Sequence, residues 1–131
     1  MVVQKALSKL ALTGFLLATL CSSIAVQARM PALVDNTSAM AVSELPRQGA
    51  ETYGRIHQGG PFAYEKDGVV FGNRERLLPS QKRGYYREYT VKTPGSRDRG
   101  ARRIVCGGQP QTPDTCYYTA DHYASFRKIV P

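Results

Sequence analysis

Residues 84–107, GYYREYTVKTPGSRDRGARRIVCG, read as two strand-like arms around a turn, and the way those arms pair decides the fold. Successive side chains of an extended strand point to opposite faces, so Tyr86, Glu88 and Thr90 share one face while Tyr85, Arg87, Tyr89 and Val91 share the other. Pro94-Gly95 supplies the turn signal. Antiparallel pairing about that turn predicts Arg103 directly opposite Glu88 on one face, with Asp98 in the loop between Arg97 and Arg99. A glutamate facing an arginine is ordinarily a cross-strand ion pair contributing about 0.2–1 kcal/mol. A further role for the pair requires other groups on the same face.

Working outward, VVF at 69–71, RRIVC at 102–106 and YYTADHYASFRKIV at 117–130 read as further strand-like segments. Upstream, LPRQGAETYGRIHQGG at 45–60 has Pro46 at a helix start, Ala50, Tyr53 and Ile56 as its inner face, and Gly59-Gly60 as its stop. Gly49 and Gly54 lower its intrinsic propensity, so this helix depends on packing. His57 lies on or beside the inner face with no second histidine or acid at helical spacing, which indicates a structural or solvated residue. One helix followed by short strands predicts an α+β domain, with one N-terminal helix packed on a small antiparallel β-sheet, over residues 44–131. Residues 29–43, with Pro31, Asp35, Asn36, Thr37 and Ser38, read as an irregular lead-in.

Residues 1–28 have the order of a secretory signal: Lys5 and Lys9, then the apolar stretch LALTGFLLATL at 10–20, then small-residue cleavage after Ala28. That apolar stretch is too short to span a bilayer, and Leu20 before Cys21 disfavours a lipid anchor there. The expectation is a secreted protein, extracellular or periplasmic, without stable membrane association after cleavage. The whole chain of 131 residues carries a formal charge of +8, and cleavage would leave 16 basic residues against 10 acidic ones. So basic a domain suits a polyanionic partner. Cleavage would also leave Cys106 and Cys116 as an even pair, read as a disulfide across a short loop. No metal site is expected, because two cysteines ten positions apart without clustered histidines lack the ligands of structural zinc.

The third group beside the hairpin comes from TADHYASF at 119–126, where His122 precedes Tyr123. A carboxylate, an imidazole and a guanidinium on one concave face can break an RNA phosphodiester without a metal. The carboxylate takes the 2′-hydroxyl proton, the imidazolium protonates the departing 5′-oxygen, and the guanidinium balances charge on the pentacoordinate phosphorus.

Three stretches together, GPFAYEKDGVVFGNRERLLPSQ at 60–81, the hairpin at 84–107 and YYTADHYASF at 117–126, closely resemble the secreted guanyl-specific microbial ribonucleases of the streptomycete Sa type, relatives of barnase. The resemblance spans about residues 45–126. It implies a metal-independent endoribonuclease, without cofactors, that cleaves single-stranded RNA 3′ of guanosine through a 2′,3′-cyclic phosphate. It implies Glu88 as general base, His122 as general acid, Arg103 as the phosphate-binding arginine and Arg99 as a second phosphate contact. In the loop VFGNRE, Glu75 would accept from guanine N1 and N2, backbone amides around Asn73 and Arg74 would donate to O6 and N7, and Phe71 and Tyr123 would line or stack on the site.

Two departures stand out. Gly72 occupies a position where similar sequences carry glutamine, and no cysteine lies in the C-terminal tail to tie the termini together, so Cys106 and Cys116 would brace the approach to His122 instead. A monomer is expected, and the resemblance admits an acidic, barstar-like inhibitor protein as a second partner. Two other readings use the same residues: a catalytically silent basic RNA-binding module, which would have no need of Glu88, Arg103 and His122 together, and the same ribonuclease delivered as an antibacterial toxin.

Overall fold

The computed structural model of the protein describes residues 37–131. The signal segment and residues 29–36 of the lead-in lie outside the described residues. Five strands form one sheet: β1 (Ser38–Ala41), β2 (Tyr86–Thr90), β3 (Arg103–Gly108), β4 (Pro113–Thr119) and β5 (Arg127–Val130), in the order β1-β5-β4-β3-β2. A helix, α1 (Arg47–Gln58), packs on one face, and the fold is α+β.

The sheet is mixed where a purely antiparallel one was expected, because β1 runs parallel to β5. The lead-in is therefore not wholly irregular. Met40 buries beside Ile129, Arg127 Nη2 donates to the Ala39 carbonyl at 3.2 Å, and a 3-10 turn at Val42–Glu44 turns the chain towards α1. The turn-forming residues end at Ser38, and the apolar anchor two positions later is enough to add an edge strand.

Helix α1 begins after Pro46, whose fixed φ suits a helix entry, and ends at Gly59 in the left-handed region, φ 81°. Its buried residues are Gly49, Thr52 and Ile56 rather than Ala50 and Tyr53, which are exposed and half-buried. A buried threonine is stable here because its hydroxyl donates to the Thr90 carbonyl at 3.2 Å, tying helix to sheet. His57 is exposed, with Nδ1 2.9 Å from the Tyr53 carbonyl.

The β2–β3 hairpin forms, with a register two residues away from expectation. Glu88 faces Val105, and Arg103 faces Thr90. The loop is not centred on Pro94-Gly95. A turn closes with Ser96 N donating to Thr93 O, and the Asp98 carboxylate then accepts from Ser96 Oγ at 2.8 Å and Gly100 N at 2.7 Å, folding a second bend that shifts the midpoint. Glu88 and Arg103 still share a face, as diagonal rather than direct neighbours.

Residues 68–71 do not make the regular strand expected at Val69–Phe71. They run along the free edge of β2 as a strap with one bridge, Val70 to Arg87, held by Glu88 N to Val69 O at 3.0 Å and Phe71 N to Tyr86 O at 2.9 Å. Positive φ at Gly68 and at Asn73 cuts the strap short at either end.

On the helix-covered face, Ile56, Tyr89, Val91, Ile104 and Tyr118 form one core. On the opposite face Leu78, Tyr86, Val105, Tyr117 and Phe126 form another. Cys106 and Cys116 are directly opposed on β3 and β4 and are bridged, with Cα atoms 4.1 Å apart. Among the described residues no helix is long and apolar enough to cross a membrane.

Candidate active site

The face of the sheet away from α1 carries Glu88 at the centre of β2, where alternation from buried Tyr86 dictates its direction. Glu88 Oε2 accepts from the Tyr123 hydroxyl at 2.6 Å, and Oε1 accepts from Arg99 Nη2 at 3.3 Å. Arg99 rather than Arg103 is thus the ion-pair partner of Glu88. Arg99 is oriented from behind: its Nε donates to Thr90 Oγ1 at 2.9 Å, and Nη2 lies 3.9 Å from Asp67 Oδ1. Asp67 is in turn fixed by the Thr90 amide, which donates to Oδ1 at 2.7 Å.

Arg103, on β3, is 3% exposed. Its Nη1 points at the carbonyls of Arg102 at 2.7 Å and Gly100 at 2.8 Å, which lock the guanidinium against its own loop. Its Nε is buried without a partner among the described residues, and Cζ lies 6.0 Å from the centre of the Tyr123 ring. A guanidinium held this way is a preorganised positive charge, needing little rearrangement to meet an anion.

His122 lies in the turn between β4 and β5 rather than on a strand. His122 and Tyr123 are consecutive residues at positive φ, 53° and 71°. Such a conformation needs support, which comes from Thr119 Oγ1, accepting from the Tyr123 amide at 3.1 Å, and from Asp121, whose carboxylate accepts from Thr119 Oγ1 at 2.9 Å and Ser125 N at 2.9 Å. These hydrogen bonds hold the Asp121 carboxyl below its usual range, led by the one from the Ser125 side chain. The His122 amide also donates to Ala101 O at 3.0 Å, so the loop bearing His122 is pinned to the loop bearing Arg99. The His122 side chain is exposed at the mouth of the site.

The third wall is residues 71–78. Asn73, at φ 48°, clasps the loop: Nδ2 donates to Leu78 O at 2.9 Å and Oδ1 accepts from Leu78 N at 3.2 Å. Its side chain is therefore spent on shape. Phe71 stacks on Tyr123 with centroids 5.0 Å apart. These walls enclose a cleft of about 480 Å³ lined by Phe71, Asn73, Arg74, Glu75, Glu88, His122 and Tyr123 among others. Seven of the nine expected catalytic and binding residues thus meet in one cleft. Arg99 and Arg103 lie beside it, reaching it through Glu88 and Tyr123. Burial, then the Glu88 carboxylate accepting from its hydroxyl, push the Tyr123 pKa up to about 12.

A model of the ribonuclease family matches residues 29–130. The chain is 56% identical over 98 residues to the guanyl-specific ribonuclease Sa3 of Kitasatospora aureofaciens, covering 75% of this chain and 67% of that protein. It is 50% identical to ribonuclease Sa from the same organism, over 72% of this chain and 96% of that one. The chain belongs to the guanyl-specific microbial ribonucleases of the Sa type. The fold agrees: ribonuclease Sa2, solved with guanosine-2′-cyclophosphate, superposes with a TM-score of 0.66 at 45% identity, covering 72% of this chain and 97% of that one. A second Sa2 structure, of complexes with mononucleotides, gives 0.68 at 46%, covering 72% and 95%.

For this Sa-type ribonuclease, reading the residues alone missed the supports behind the site. Asp67, in KDGV, reads only as a turn residue, and nothing local says that its carboxylate caps β2. Arg87 reads as a solvated charge, yet Nη1 donates to Gly68 O at 2.8 Å and holds the strap. The Thr-x-Asp spacing at 119–121 was the available signal for the turn that carries His122, since such side chains bond to backbone nearby.

Proposed function

We propose that the protein is a secreted endoribonuclease that cleaves single-stranded RNA on the 3′ side of guanosine, by transesterification to a 2′,3′-cyclic phosphate and then hydrolysis, without a metal. The observation that carries the reading is that Glu88 and His122 line one cleft while Arg99 and Arg103 stand behind the carboxylate. In the first step Glu88 would accept the 2′-hydroxyl proton as the 2′-oxygen attacks phosphorus, and His122 would protonate the departing 5′-oxygen. Tyr123 and Arg99 orient the carboxylate, so that a free lone pair can face the ribose. Arg103, prelocked by backbone carbonyls, and Arg99 would stabilise charge on the phosphoryl oxygens. In the second step the roles of Glu88 and His122 reverse, with His122 activating water.

Guanine would sit against the loop 71–75, with Glu75 accepting from N1 and N2 and the amides near Asn73 and Arg74 donating to O6 and N7. The Asn73 clasp supports this division of labour, since it occupies the side chain of a residue that lines the cleft and leaves its backbone as the group available to a base. The order of residues 1–28 supports export with cleavage after Ala28. The test is the kinetics of Glu88→Ala and His122→Ala on GpC. Each is expected to lower kcat by about 10²–10⁴-fold in a protein that still folds, with an unchanged melting transition for His122→Ala and a lowered one for Glu88→Ala, which loses the Tyr123 and Arg99 contacts. Near-wild-type turnover in either would remove that residue from its role.

A further inference from the structure

We propose that a second groove, across residues 70–74 from the catalytic cleft, binds the phosphate backbone of the same RNA chain beyond the guanosine. This deepens the ribonuclease reading above and rests on it for the identity of the polyanion. The groove has a volume of about 610 Å³ and is lined by Arg74, Arg76, Lys82 and Arg83, with Ser80 and Gln81 between them. No aspartate or glutamate lines it. All four cationic side chains are exposed, and none pairs with a described carboxylate, whereas Arg47, Arg99 and Arg127 elsewhere each have one.

Four like charges gathered without a counter-charge repel one another, and a bound polyanion relieves that repulsion. Their backbone is ordered. Lys82 and Arg83 stand at the corner of a tight turn closed by Tyr85 N to Lys82 O at 3.1 Å, with Gly84 at φ 85°. Arg76, at φ 54°, donates its amide to Asn73 O at 3.0 Å. The groove and the cleft share Val70, Phe71, Gly72, Asn73 and Arg74 as their common wall. At its middle Gly72 has no side chain, and a Cβ built there would meet only the Arg74 side chain, 3.6 Å away. A polynucleotide can therefore cross this low point from one concavity to the other.

The groove's chemistry selects backbone rather than bases. Tyr86 is buried with its hydroxyl on the Pro79 carbonyl and Phe71 is occupied against Tyr123, so exposed Val70 is the apolar part of the wall, while the four cations with Ser80 and Gln81 are the groups that meet phosphates. Such contacts tolerate any sequence and depend on salt. Multiple phosphates are required to gain from them, so the groove favours long substrates over dinucleotides.

The test compares the wild-type protein with a triple variant, Arg76→Gln, Lys82→Gln and Arg83→Gln, and with a charge-matched control on the helix side, Arg55→Gln, Lys66→Gln and Lys92→Gln. Binding of an uncleavable 2′-O-methyl decamer containing one guanosine is read by fluorescence anisotropy against salt, beside kcat/KM for GpC. Losing three phosphate contacts is expected to reduce the salt slope by about 2, so that wild type loses roughly 20-fold more affinity than the groove variant between about 50 and 200 mM salt. GpC turnover should be unchanged, and the control variant should behave like wild type. Equal losses in the groove variant and the control would overturn the proposal in favour of undirected attraction, and an unchanged salt slope would overturn it outright. Binding is read without cleavage, so a failure of GpC hydrolysis would refute the ribonuclease reading while leaving the groove separately decided.

Discussion

The Tyr123 hydroxyl offers a direct probe of how the site is held together. Tyr123→Phe removes one O–H···O contact of 2.6 Å to Glu88 while keeping a ring that can stack on Phe71. Hydrogen bonds to a charged acceptor contribute about 1.5–3 kcal/mol. The Tyr123 pKa is raised from 10 to about 12, chiefly by burial and then by Glu88, and that shift sets how stability changes with pH. The ring is only half-buried, so solvent screening reduces the hydrogen bond's own contribution to about 1–2 kcal/mol.

The sign gives a signature. Because the folded-state pKa lies above the unfolded one, the neutral phenol is favoured by folding; the contribution is complete below pH 10 and is lost as pH rises towards 12. Urea unfolding of both proteins from pH 7 to 11 should show the variant less stable by about 1–2 kcal/mol at neutral pH, with the gap closing by about half by pH 11. Activity on GpC should fall about 10-fold with the loss of a positioning contact worth about 1.5 kcal/mol or more. A stability difference that stays constant across pH 10–11, together with unchanged kcat/KM, would refute the coupling of Tyr123 to Glu88.

Glu75→Ala should compress the preference for GpC over ApC by about 5- to 150-fold, the equivalent of about 1–3 kcal/mol for a bidentate base contact, and an unchanged preference would take Glu75 out of the base site. Replacing both Cys106 and Cys116 by serine should lower stability in urea by about 2–3 kcal/mol, as expected for a short closed loop, and an identical midpoint would show that the bridge contributes nothing. Gly72→Gln should change stability by less than about 0.5 kcal/mol, because Gly72 is not at positive φ and a Cβ there meets only a flexible arginine; a larger loss, measured by thermal unfolding, would mean that the glycine is structurally required.

Where alternation rules, the residues were enough. Facing directions along β2 placed Glu88 and Arg103 on one face even though the register differed by two positions, because a shift of two preserves the face. The register itself was not legible, since it depends on Asp98 bonding to Ser96 and Gly100 within the loop. Strand β1 was hidden for a different reason: its parallel pairing joins Ser38 to Arg127, a contact with no local pattern behind it. In the site, the Asn73 clasp, the Asp67 brace and the two left-handed residues His122 and Tyr123 are products of side chains bonding to backbone, which spacing alone does not reveal. The cysteine pair was readable because setting Cys21 aside with the signal segment leaves one partner for each, and the two are opposed on β3 and β4.

The central claim is guanosine-directed transesterification by side chains alone, and incubation of the purified protein in EDTA with GpC, ApC, CpA and UpA, followed by chromatography, tests it most directly. The expected result is rapid conversion of GpC through guanosine 2′,3′-cyclic phosphate, with the other three slow. Absence of any cleavage, an activity that EDTA abolishes, or equal cleavage of all four would contradict it.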